Sequence, residues 1–139
     1  LVVRETANGP VISDLDETPR GDGRVLSVRM ANLEPRDTSA MGLLALNRAR
    51  NLAEARAAAA QISSPPQNMM VAERAGGIAM YLTGRTPLRA EGQDGSLPST
   101  APWQGFLDFD ALPHVENPQS GVIVNANNRV SPEGHPAFL

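Results

Sequence analysis

Three asparagines fall within four residues near the C-terminal end of the chain, at Asn125, Asn127 and Asn128. They follow Asn117-Pro118-Gln119-Ser120-Gly121-Val122-Ile123-Val124, a Pro-Gln-Ser-Gly turn that feeds a short apolar run expected to be a strand. Asparagine is depleted in strands because its amide competes with the backbone for hydrogen bonds. Several amides at one strand end therefore point to donors and acceptors aimed at a group outside the sheet. With period-2 alternation, Ile123, Asn125 and Asn127 share one face and Asn128 points the other way.

Other side chains that could do chemistry are poorly placed for it. His114 lies between Pro113 and Pro118 with no Ser or Asp partner at a supportive spacing, so it reads as a turn residue, and His135 reads as loop. Asp108 and Asp110 would share a strand face, as paired acids do in glycosidases, yet Phe106, Leu107 and Phe109 around them favour solvated edge carboxylates. Asp14, Asp16 and Glu17 offer oxygen ligands without the glycine-containing loop of an EF-hand. No metal site is expected. Gly76-Gly77 and the Gly21/Gly23 pair do not open helices after strands, so they do not make a phosphate cradle. Trp103 is expected to plug the core beneath a long loop.

At 139 residues the chain is one domain long and able to bury a core, and 41% hydrophobic content fits a globular protein. Five aromatics leave that core to Ala, Val, Leu, Ile and Met. A net charge of −3 argues against a nucleic-acid partner. All twelve basic residues are arginine, which excludes lysine Schiff-base and Ser–Lys chemistry within the segment. Zero cysteines remove thiolate nucleophiles and sulfur-ligated metals. No apolar run approaches a membrane span, and no signal-type segment is expected ahead of Leu1. A start without Met and in mid-strand pattern gives the expectation that the chain is a piece of a longer protein.

The elements that must position the asparagines read as α+β. Val2/Val3 and Val11/Ile12 form two strand segments bent at Asn8-Gly9-Pro10, followed by an acidic loop from Asp16 to Gly23. Arg24 to Ala31 alternates, with Leu26, Val28 and Met30 against Val25, Ser27 and Arg29, and predicts a half-buried strand. Asp37 is a candidate N-cap for a helix carrying Met41, Leu43, Leu44 and Leu46, weakened by Gly42. Asn51 and Glu54 make a capping box for a second, alanine-rich helix with Leu52, Ala55, Ala59 and Ile62 on one stripe, ended by Ser63-Ser64-Pro65-Pro66. Asn68–Glu73 and Ile78–Thr83 flank Arg74-Ala75-Gly76-Gly77, a hairpin signal. The chain is one fragment over 1–139, and a Gly/Pro-rich loop occupies 84–105.

Several blocks, in order, resemble the penicillin amidase (penicillin acylase) family of N-terminal-nucleophile hydrolases. Thr6-Ala7-Asn8-Gly9-Pro10-Val11 resembles its Thr-x-His-Gly-Pro-Val element, with asparagine where histidine is common. Asn47 to Asn51 with Glu54 resembles the block that starts a helix, and Pro65-Pro66-Gln67-Asn68 with Gly77, Ile78 and Tyr81 resembles the family hairpin. Gly84-Arg85-Thr86-Pro87, Leu97-Pro98, Trp103-Gln104-Gly105-Phe106 and Leu112-Pro113 continue the series. Asn117 to Asn128 resembles the Asn-Pro-x-Ser-Gly…Asn-x-Asn-Asn signature and completes it.

The resemblance implies part of a four-layer αββα sandwich, mostly antiparallel strands with a pair of helices, from the larger (beta) subunit of a self-processing enzyme. It implies cleavage of an acyl-amide bond, such as the side chain of a β-lactam or an acyl-homoserine lactone, by a new N-terminal Ser, Thr or Cys whose α-amine serves as base. The second asparagine of Asn-x-Asn, here Asn127, would donate to the oxyanion hole. That nucleophile lies upstream of the Gly-Pro-Val block and Leu1 has no nucleophilic side chain, so the isolated fragment is expected to be inactive. Its expected partners are the rest of the parent enzyme, including the nucleophile-bearing segment and the smaller subunit, and a small-molecule acyl amide. Ala126 stands where the best-known penicillin acylases carry an aromatic residue, and no substrate-binding residue is identified. The family's partner arginine and calcium ligands are not identifiable, so no cofactor is expected in this segment and calcium is left to the parent. A periplasmic or secreted location is implied by the resemblance alone. Sheet edges cut from a larger sandwich give an expectation of self-association. The competing reading is a non-catalytic binding or structural module that retains the fold.

Overall fold

The computed structural model describes residues 2–15, 23–93 and 95–135. The expectations for Leu1, Asp16, Glu17 and Gly21 lie outside them. Helices α1 (Ser39–Leu46) and α2 (Leu52–Ala59) precede strands β3 (Gln67–Ala72) and β4 (Ile78–Thr83), and β7 (His114–Glu116) completes a three-stranded antiparallel sheet in the order β3-β4-β7. Two minimal pairs flank it, β1 (Glu5–Thr6) with β2 (Gly9–Pro10) and β5 (Pro87–Leu88) with β6 (Gly105–Phe106). The architecture is α+β, as the sequence predicts.

Both helices start as their polar residues dictate. The Asn51 side chain accepts from the Glu54 N–H at 2.9 Å, while the Glu54 carboxylate accepts from the Arg50 N–H at 2.8 Å and the Asn51 amide at 3.1 Å. Glu73, in the β3–β4 turn, accepts from the Leu52 N–H at 2.9 Å and so fastens the helix start to the hairpin. In α1 the residue at the cap position is Thr38, which makes no side-chain cap. Asp37, one residue earlier, caps instead: it accepts from the Ser39 N–H at 2.8 Å and from the Ser39 and Ser63 hydroxyls. Those three hydrogen bonds hold the Asp37 carboxyl down from 3.8 to about 2, the Ser39 hydroxyl being the largest cause.

Gly42 does not break α1. A Cβ at this position would lie 2.8 Å from Ile62 Cγ1 and 2.9 Å from the Ala58 carbonyl oxygen, so the glycine is what lets α1 lie against the end of α2. Leu52, Ala55, Ala58, Ala59 and Ile62 are buried, and Leu52 and Ala59 cluster with Ala79 and Tyr81 of β4. A second cluster joins Leu82 and Leu112 to Leu107, Phe109 and Val130. Met41, Leu43 and Leu44 of α1 face outward.

Five expectations need correction. The N-terminal pair closes between Glu5–Thr6 and Gly9–Pro10, leaving Val2 and Val3 exposed outside it. Residues 24–30 form one bridge among the described residues, Val11 to Ser27, and Ala31 already opens a 3-10 turn (Ala31–Leu33). Val28 donates to the Pro10 carbonyl at 2.9 Å, but proline has no N–H with which to extend the ladder. Gly9, at φ 104, presses so closely on this segment that a Cβ would sit 2.2 Å from the Val28 oxygen. Asp108 and Asp110 are not on a strand: Phe109–Ala111 is a 3-10 turn, and Asp110 pairs with Arg56 at 2.7 Å. His114 is a strand residue opposite Tyr81, its Nδ1 2.8 Å from the Leu112 carbonyl oxygen. Residues 84–105 hold β5 and run between it and β6, so a short strand pair closes this stretch.

Two outcomes follow. Gly42→Ala forces the helices apart and destabilises by about 1–3 kcal/mol, read as a lowered unfolding midpoint. Asp37 has a folded-state pKa below its ordinary value, so its contribution is complete above pH 3.8 and lost as pH falls towards about 2. Asp37→Asn therefore flattens the acid limb of a stability–pH curve over that window, and an unchanged limb would contradict the capping role.

Candidate active site

The run to the asparagine cluster begins where β7 ends. The Asn117 side-chain oxygen accepts from the Ile78 N–H at 3.0 Å, and its own N–H donates to the Ile78 carbonyl at 2.9 Å. Asn117 sits at φ 43, a conformation asparagine tolerates better than most residues. This asparagine is therefore a clasp between β7 and β4. The Pro118–Gly121 turn follows, closed by Gly121 N–H to Pro118 O at 2.8 Å.

The expected strand after Gly121 does not pair. Residues 122–125 are extended without a ladder, and Val122 and Val124 are 62% and 79% exposed. Alternation survives as far as Asn125: Ile123 and Asn125 are half-buried, and Ile123 borders a cleft with Met70, Val71 and Ile78. It fails at Asn127, where φ 58 turns the backbone left-handed. Asn127 is exposed and does not share the face of Asn125.

The turn is built by the asparagines themselves. The Asn125 side-chain oxygen accepts from the Asn127 N–H at 2.9 Å, and the Asn128 oxygen accepts from the Ala126 N–H at 3.2 Å. Asn128 also donates to the Arg129 carbonyl at 3.0 Å. Asn125 and Asn128 thus spend their side-chain oxygens on local backbone. Asn127 does not: its backbone N–H is satisfied, and its side-chain amide bonds to no group among the described residues. Beside it is a cleft of about 250 Å³ lined by Pro66, Gln67, Asn68, Leu82 and Asn127 to Val130. The geometry puts an uncommitted amide donor, that of Asn127, at the mouth of a cleft.

Asn68 was not singled out by its sequence context, although the same amide-at-a-strand signal is present in Pro66-Gln67-Asn68. It lies on β3 opposite Leu82 and donates to the Asn125 side-chain oxygen at 3.4 Å. Its own oxygen is buried without a hydrogen-bond partner, at a typical cost of about 1–3 kcal/mol.

The remaining polar residues are engaged in holding the fold. Tyr81 donates to Glu116 at 2.8 Å, and Arg56 reaches Glu116 at 3.1 Å as well as Asp110. Burial first, and the Glu116 hydrogen bond second, push the Tyr81 phenol up to about 12. The Tyr81 hydrogen bond in turn is the largest influence holding the Glu116 carboxyl below its ordinary value. Asp14 pairs with Arg4, and the described residues hold no group of three or more His, Cys, Asp or Glu that could take a metal. His135 approaches the Ala111 carbonyl oxygen at 3.0 Å, next in the chain to the Leu112 carbonyl that His114 meets. Trp103 is half-buried rather than a core plug; the Arg29 guanidinium lies over its ring at 4.4 Å, and Phe106 meets its edge. No helix among the described residues is long and apolar enough to cross a membrane.

The fold is that of the N-terminal-nucleophile hydrolases. It matches the thermostable penicillin G acylase from Alcaligenes faecalis with a TM-score of 0.83 and 26% identity, over 96% of this chain and 24% of that one. The sequence profile of the penicillin amidase family matches residues 1–139, and the chain belongs to that family. Its relatives include the acyl-homoserine lactone acylase QuiP of Pseudomonas syringae pv. syringae (strain B728a), 34% identical over 96% of this chain and 16% of that protein. They also include the penicillin acylase 2 proenzyme of Pseudomonas sp. (strain SE83), 31% identical over 97% of this chain and 17% of that protein. The chain thus spans about one-sixth of the length of these curated relatives.

Proposed function

We propose that the chain is part of an acyl-amide hydrolase in which the Asn127 side-chain amide donates to the oxyanion. The observation that carries this reading is the uncommitted Asn127 amide beside the cleft, in a chain whose relatives are acylases. In the reaction, an N-terminal Ser, Thr or Cys outside this chain attacks the substrate carbonyl and gives its proton to its own α-amine. The carbonyl π electrons move onto oxygen, and Asn127 meets that charge. Collapse expels the amine, which takes the proton, and water then releases the acid from the acyl-enzyme. The substrate class is an acyl amide such as an acyl-homoserine lactone or the side chain of a β-lactam.

The rest of the enzyme supplies the nucleophile and covers the outward Met41, Leu43 and Leu44 of α1 and the unpaired 122–125 segment. By this reading the isolated 139-residue chain hydrolyses no acyl amide. A periplasmic or secreted location, and any calcium, belong to that larger protein.

An oxyanion donor is worth roughly 3 kcal/mol in the transition state. Asn127→Ala in the full-length enzyme therefore lowers kcat about 100-fold or more, with autoprocessing intact and KM little changed. Unchanged turnover by the processed variant would leave Asn127 a structural turn residue.

A further inference from the structure

We infer that Asn68 is a positioning residue for Asn127, setting from β3 the loop that carries the oxyanion donor. The inference rests on the proposed role of Asn127. Among the described residues, residues 122–128 join the sheet through one hydrogen bond, Asn68 Nδ2 to Asn125 Oδ1 at 3.4 Å. That same Asn125 oxygen accepts the Asn127 N–H at 2.9 Å. One carbonyl oxygen therefore uses two acceptor positions, one to take its own place from the sheet and one to fix the left-handed backbone of Asn127 at φ 58.

The other end of the Asn68 side chain separates this role from simple stability. Its oxygen is buried and bonds to nothing, so an apolar residue of similar size would satisfy the packing better. What an apolar residue cannot supply is the donor to Asn125. Asn68 is well suited to transmit position because β3 pairs with β4 over six residues, from Gln67↔Thr83 to Ala72↔Ile78. Asn68 and Asn127 also line the same cleft, so a shift of the loop moves the donor relative to whatever occupies it.

The test is a double-mutant cycle in the full-length, processed enzyme, with kcat and KM measured on an N-acyl homoserine lactone. Asn68→Leu lowers kcat about fivefold, the worth of one neutral hydrogen bond, with KM little changed and Tm equal to or above that of the wild type. Asn68→Asp, which keeps the shape but lacks the donor, gives at least the same loss and serves if the leucine variant does not fold. In the Asn127→Ala background, either change alters kcat by less than about twofold, because no donor remains to be placed. Losses that multiply across the cycle, or a normal kcat for both Asn68 variants, would overturn the positioning role while leaving the oxyanion reading intact. A normal kcat for Asn127→Ala alone would instead overturn the oxyanion reading, and the inference with it.

Discussion

The close approach of α2 to β4 is the constraint on which the rest of the structure depends. A helix can come only as near to a sheet as its side chains permit, and here Leu52 and Ala59 pack on Ala79 and Tyr81 while Ala55 and Ala58 are buried beside them. The small face leaves Tyr81 as the large side chain of the interface, fully buried yet satisfied because its hydroxyl reaches Glu116. Glu73 pins the start of the helix to the hairpin, and Gly42 lets α1 close over its other end. Apolar contact supplies the attraction; the placed carboxylates choose the orientation.

From that interface the positions of the strands follow. β4 is central, so its two neighbours are held in register on either side, and each carries one asparagine that handles the C-terminal run. Asn117 clasps the end of β7 to the start of β4, and Asn68 on β3 meets Asn125. Between these two fixings the chain is extended but unpaired, which makes the asparagine turn dependent on side-chain amides instead of ladder hydrogen bonds. The side chains of Asn117, Asn68, Asn125 and Asn128 build the support, and that of Asn127 is left over. Among the three clustered asparagines, the one with φ 58 and a satisfied N–H is the one whose side chain makes no hydrogen bond among the described residues.

Much of this was legible in the residues. The Asn51/Glu54 box, the alanine stripe and the hairpin around Gly76-Gly77 are local signals, and local hydrogen bonds and turn chemistry decide them. The ordered family blocks were enough to name the family and its fold. What was not legible depends on partners distant in sequence. The alternation in 24–31 describes a strand, but Pro10 opposite it withholds the N–H a ladder needs. Gly42 looks like a helix breaker until Ile62 is known to lie against it. Val122 to Val124 has strand composition and no neighbour to pair with among the described residues, and one left-handed residue then removed Asn127 from the face that simple alternation gave it. Asn68 carried the same chemical signal as the cluster but, standing alone on a strand, gave no reason to connect it with a residue almost sixty positions away.

The central claim is that the spare Asn127 amide meets the oxygen that becomes negative during acyl transfer. A crystal structure of the full-length enzyme with a boronic acid bound to its nucleophile tests it most directly, because the tetrahedral boronate places an oxygen where the oxyanion forms. The account predicts Asn127 Nδ2 about 2.7–3.1 Å from that oxygen, with Asn125 still holding the Asn127 N–H. A boronate oxygen satisfied by other donors, with the Asn127 amide turned away into solvent, would contradict it.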